Sequence, residues 1–126
     1  MPFAKAPQAW HLSGMDRDIA NRTAAARPGA TLEHPFGDDL DTWKVGGKIF
    51  AIVGAKGRGT TLKCANPDTA ALLIDMGRAE PAPYLKRGGW VLIPWDRMEG
   101  EELAERVETS YQTVRATLTK KVRDAL

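Results

Sequence analysis

Between Lys44 and Lys63 the chain contains no aspartate or glutamate, yet it carries Lys44, Lys48, Lys56, Arg58 and Lys63. Lys44 and Lys48 flank Gly46-Gly47, and Lys56 and Arg58 alternate with glycines inside Gly54–Gly59. Glycine lets backbone approach a bulky ligand closely. Cations on such turns suit a phosphate backbone, with sequence-independent, salt-sensitive binding and dissociation constants of about 10⁻⁴ to 10⁻⁶ M. The same charges also fit a solvated sheet face or edge. Reading bases would require aromatic or amide groups beside the cations. Phe50 and Trp43 are the aromatic residues at hand, but both fall in apolar strand patterns and are expected in the core.

Other reactive residue types are less well placed. His34 with Asp38 and Asp39 could form a metal pair, but zinc wants three or four ligands, and Pro35-Phe36-Gly37 reads as a turn stabilised by the aspartates. Cys64 is the single cysteine and ends an apolar strand, so it reads as a buried, inert thiol. Gly54-Ala55-Lys56-Gly57-Arg58-Gly59-Thr60 lacks the Gly-Lys-Ser/Thr ending of a phosphate loop and joins two strands. No nucleophile elbow or triad order is present. The expectation is therefore a non-enzyme with no cofactor and no metal.

The elements that must position these residues follow from periodicity and punctuation. A first helix is predicted from about Gly14 to Ala26, capped by Ser13 and ended by Pro28-Gly29. Four strands follow: Ala30–His34, Asp41–Val45, Lys48–Val53 and Thr60–Cys64. Gly46-Gly47 is a hairpin signal. Asn66-Pro67-Asp68 opens a second helix, since Asn caps, Pro suits the first turn and Asp complements the dipole. Gly77 stops it. Ala79–Leu85 is irregular, Trp90–Ile93 is a last strand, and Leu103, Val107, Tyr111, Val114, Leu118 and Val122 mark one face of a single helix from about Glu99 to Ala125. The order α-β-β-β-β-α-β-α predicts an α+β fold, with an antiparallel sheet of about five strands covered on one face by helices.

Length and composition set the frame. The chain has 126 residues, suited to one domain over residues 14–126 with residues 1–13 as an arm. Five of the 18 basic residues lie in the acid-free stretch, which leaves 13 against 16 acids elsewhere, a mildly acidic remainder around one basic zone. A lone cysteine, no secretory pattern and no long apolar run point to a reducing, cytoplasmic, non-membrane setting.

Several of these segments together resemble the MmcQ/YjbR family. They are His34-Pro35-Phe36-Gly37-Asp38, Trp43 through Ala51, Leu62-Lys63-Cys64, Pro83-Tyr84-Leu85 leading to Trp90, Ser110-Tyr111, and Lys120-Lys121-Val122-Arg123. Where many members carry a His-Met-Asn-Lys-like stretch before the last tryptophan, this chain has Tyr84-Leu85-Lys86-Arg87-Gly88-Gly89. The resemblance implies a frataxin-like α/β sandwich, described as a double-wing DNA-binding fold. It turns the basic hairpins into wings and makes double-stranded DNA, without sequence specificity, the expected partner. Lys44, Lys48, Lys56, Arg58, Lys63, Lys86 and Arg87 are then the candidate contacts. Iron binding, which the frataxin likeness also raises, is disfavoured because Asp16 and Asp18 are balanced by Arg17, Arg22 and Arg27. The alternative is a protein-interaction or small-ligand module that uses the 84–89 loop and the open sheet face.

Overall fold

The computed structural model describes residues 9–54, 59–83, 85, 87–95, 97, 98 and 100–126. In chain order it contains α1 (Ala9–Ala25), β1 (Ala30–Glu33), β2 (Leu40–Val45), β3 (Lys48–Gly54), β4 (Gly59–Lys63), α2 (Pro67–Asp75), β5 (Glu80–Pro81), β6 (Trp90–Pro94), α3 (Gly100–Arg115) and α4 (Lys120–Asp124). The strands form one antiparallel sheet of six, ordered β1-β2-β3-β4-β6-β5. The sixth strand is the two-residue β5, inside the segment expected to be irregular. Two residues, one of them proline, leave no periodicity to read.

Local chemistry explains most boundaries. Asn66 is extended, and its side chain accepts from the Thr69 amide at 2.9 Å, while Pro67 opens α2. Gly46 and Gly47 have φ of +58° and +81°, the pair of left-handed residues that a two-residue hairpin needs. Two helix boundaries differ from expectation. The first helix begins at Ala9, and Ser13 and Gly14 lie within it, so Ser13 is not its cap. A glycine costs a helix only about 1 kcal/mol, too little to end one that tertiary packing holds. The long C-terminal helix is two helices. The i−4 ladder ends at Ala116, after which Thr117 and Leu118 bond to carbonyls three residues back. The Thr117 hydroxyl donates to the Val114 carbonyl at 2.7 Å, and Thr119 caps α4. Threonine hydroxyls compete with the helical ladder in this way.

Successive residues of a strand face opposite sides of the sheet. Trp43, Ala51, Leu62 and Val91 stand in one row across β2, β3, β4 and β6, and Asp41, Val53, Thr60 and Ile93 in another on the same side. Helices α1 and α3 pack on this side. Trp43 Nε1 donates to Asn21 of α1 at 2.9 Å, and Phe50 meets Tyr111 of α3 edge-on at 5.3 Å. The Tyr111 hydroxyl donates to the Pro28 carbonyl at 2.6 Å and ties α3 to the turn after α1. Trp43 and Phe50 are buried, as their strand patterns implied.

The opposite side is not the open face anticipated. Its central row, Thr42, Ile52, Thr61 and Leu92, is only 0, 2, 3 and 6 % exposed. A plain two-layer sandwich with one solvated sheet face is thus only roughly matched.

Candidate nucleic-acid interface

The site is built on an interruption of the sheet. Between β2 and β3 the register slips: Trp43 lies opposite Ala51, but Lys44 lies opposite Ile49, so Phe50 is an extra residue. This is a β-bulge. On the other side of β3, pairing with β4 stops at Ala51–Leu62, although the strands run on to Lys48 and Lys63. Phe50 and Lys63 therefore have backbone groups without a strand partner. Ser110 of α3, fully buried, supplies one. Its hydroxyl donates to the Phe50 carbonyl at 2.5 Å and accepts from the Lys63 amide at 2.8 Å. A helix side chain stands in for a rung of the ladder.

The groove opens at this gap. Lys44 and Lys48 line it from β2 and β3, and Lys63 from β4. Ile49, Leu85 and Trp90 give it apolar walls, and Val114 and Thr117 of α3 lie one and two turns beyond Ser110 on the same helix face. Gly47 completes the lining, and the volume is about 460 Å³. Among the described lining residues there is no acid.

Each lysine has a present partner. Lys44 Nζ is 3.0 Å from Glu33 on the neighbouring strand, and the glutamate is half exposed. Exposed pairs of this kind are worth about 0–1 kcal/mol, so an incoming phosphate displaces Glu33 at small cost. Lys48 Nζ donates to the Thr117 hydroxyl at 3.1 Å, a neutral partner. Lys63 Nζ lies 5.8 Å from the centroid of the Trp90 ring, a cation–π contact worth about 0.5–1 kcal/mol at an exposed site. Behind it, Gly88 and Gly89 both have positive φ, +78° and +87°. That conformation, free for glycine, turns the Gly89 carbonyl to accept from the Cys64 amide at 2.8 Å and brings Gly88 close to the Lys63 amine.

Of the seven candidate cations, the structure brings Lys44, Lys48 and Lys63 together. Arg87 is exposed at the start of the glycine turn. Lys56, Arg58 and Lys86 lie outside the described residues, so the second wing tip does too. Trp90, Ile49 and Thr117 were not among the sequence candidates, and Leu85 entered only through the 84–89 loop of the alternative reading. Nothing local announces them, because the groove arises from strand register and from α3 passing beneath the gap.

The alternative chemistries are dispersed. His34 Nε2 sits 2.9 Å from Asp41, not from Asp38 or Asp39, and Asp41 is shared with Asn21 and Arg17 of α1. Cys64 is buried, and burial pushes its thiol above the ordinary value, with Arg106 opposing. By strand spacing, Cys64 stands about 13 Å further along the sheet than Asp41 and two strands away, so the two do not share a pocket. Arg22 pairs with Asp18, and Arg27 with Glu108. Among the described residues, no three His, Cys, Asp or Glu side chains gather as a metal site, and no helix is long and apolar enough to cross a membrane.

Comparison with curated proteins gives no match. Among solved structures, the fold resembles the crystal structure of Deinococcus radiodurans protein DR2400, which carries the domain DUF419. The TM-score is 0.76 and the sequence identity 23 %, over 86 % of this chain and 85 % of that one. The YjbR family model matches residues 25–113, which take in Trp43, Lys44, Lys48, Lys63, Trp90 and Ser110. The chain belongs to the YjbR family.

Proposed function

We propose that the chain is a non-catalytic nucleic-acid-binding module that grips phosphates without reading sequence. The observation that carries this is the convergence of Lys44, Lys48 and Lys63, from three different strands, on one groove whose described lining holds no acid. Lys56 and Arg58, between Lys48 and Lys63 in sequence, and Lys86 and Arg87, after Lys63, complete the candidate contact set. Lysine is a point-charge phosphate binder, and the described groove offers no amide or arginine fork to distinguish bases. Binding is therefore expected to be electrostatic.

The test is fluorescence anisotropy with random-sequence duplex DNA at two salt concentrations. Three neutralised phosphates imply a slope of log K against log salt of about −2.7, or a loss of about 40-fold between 50 and 200 mM. Each of Lys48→Ala and Lys63→Ala should make the slope shallower by about 0.9, with equal effect on unrelated sequences. Absence of binding at low salt, or binding indifferent to salt, contradicts the proposal.

A further inference from the structure

We infer that the lysine groove takes an unpaired nucleotide, with a planar base inside the groove and its phosphates on the lysines. The inference rests on the nucleic-acid reading above and goes beyond it, because duplex phosphates would leave half of the groove unused. Ile49 on β3 and Trp90 on β6, to either side of Lys63 on β4, form apolar walls together with Leu85. In a duplex the base faces are stacked inside the helix, and only sugar, phosphate and base edges meet a protein. The apolar part of a nucleic acid becomes available only when a base is unpaired, and an aromatic side chain within a basic groove is the arrangement that receives it.

Dimensions and placement agree with this occupant. The groove volume of about 460 Å³ lies in the range of small-ligand sites. That is room for one nucleotide, whereas a duplex can lay only its phosphate edge across the mouth. Lys44 and Lys63 stand two strands apart, with β3 between them, about 10 Å by strand spacing, so successive phosphates of one strand can each meet an amine. Gly47 lines the mouth, and a side chain added there would meet nothing within 4 Å, which leaves bare backbone for close approach. Lys63 at present rests over the Trp90 ring. A phosphate that draws this amine away uncovers the ring for the base.

The test uses the full chain at low salt with two labelled single strands of equal length, an oligothymidylate and a wholly abasic strand. They carry the same charge and differ only in bases. The oligothymidylate should bind about tenfold more tightly, the effect of one stacked base. Trp90→Leu should remove the difference between the two strands, so that the variant binds the oligothymidylate and the abasic strand equally. Equal affinity of the two strands for the unaltered protein overturns the base slot but leaves the phosphate reading intact. Failure of both strands and of duplex DNA to bind removes the phosphate reading and the slot together. Should Trp90→Leu fail to fold, the comparison of strands on the unaltered protein still decides. Displacement of the oligothymidylate by thymidine monophosphate assigns the slot to free nucleotides, and its failure to displace assigns it to nucleic-acid strands.

Discussion

Replacing Ser110 by alanine removes one oxygen atom and strands two buried backbone groups. The Phe50 carbonyl and the Lys63 amide both meet the Ser110 hydroxyl where the β3–β4 ladder has ended. An unsatisfied buried polar group costs about 1–3 kcal/mol, so the pair costs about 2–6 kcal/mol before corrections. Two effects reduce it. Alanine is the better helix former by about 0.5 kcal/mol, and the adjacent groove admits water to part of the gap. The net expectation is a loss of about 2–4 kcal/mol. For a chain of this size, with an unfolding entropy of about 2.1 cal/mol/K per residue, that lowers Tm by about 8–15 °C. Urea unfolding followed by circular dichroism measures it, with an unchanged slope on denaturant showing that the folded and unfolded states keep their compactness. A loss below about 0.5 kcal/mol would refute the idea that Ser110 completes the sheet. A second readout comes from nucleic acid: because Ser110 holds Lys63 by its amide, binding in Ser110→Ala should weaken at temperatures where the variant is still fully folded.

Two further substitutions separate backbone strain from crowding, and one pH series tests burial. Gly47→Ala meets open space at φ +81°, so it should cost about 1–2 kcal/mol from left-handed backbone alone, whereas Gly46→Ala also puts its new carbon 2.7 Å from Leu118 and should cost at least about 1 kcal/mol more. Equal losses in urea unfolding would contradict the close packing of the hairpin on Leu118. The Cys64 thiol is raised above its ordinary 9.0 by burial, so the folded protein keeps a proton that the unfolded chain releases. Its contribution to stability is full below that value and lost as pH rises past it. The stability of the natural protein relative to Cys64→Ala should therefore fall as pH rises past 9.0, and a flat difference would mean that the thiol ionises as readily folded as unfolded.

How much of this was legible in the sequence depends on the range of the interaction involved. Asn66-Pro67-Asp68 and Gly46-Gly47 act within a few residues, and both placed their elements well. The break at Ala116–Thr119 was also written locally, in Thr117 and Thr119, but the apolar rhythm from Leu103 to Val122 runs through it without a skip and conceals it. The start of α1 at Ala9 was missed because Ser13 followed by Asp16 imitates a cap. The site divides in the same way. An acid-free run pointed to Lys44, Lys48 and Lys63, since charge patterning is visible residue by residue. That Trp90 and Thr117 would join them could not be read, because it depends on a bulge at Phe50 and on where a helix 47 residues downstream of Lys63 places one serine hydroxyl.

The two ends of the strand order have a consequence for association. At one edge lies β5, only Glu80 and Pro81, and the proline has no amide proton to offer. At the other lies β1, four residues ending in Glu33, whose carboxylate reaches across to Lys44. Neither edge presents the long, flat row of free donors and acceptors that templates strand addition by another chain. The sheet's one interior break, between β3 and β4 among the described residues, is answered separately, by Ser110 from the helix beneath it.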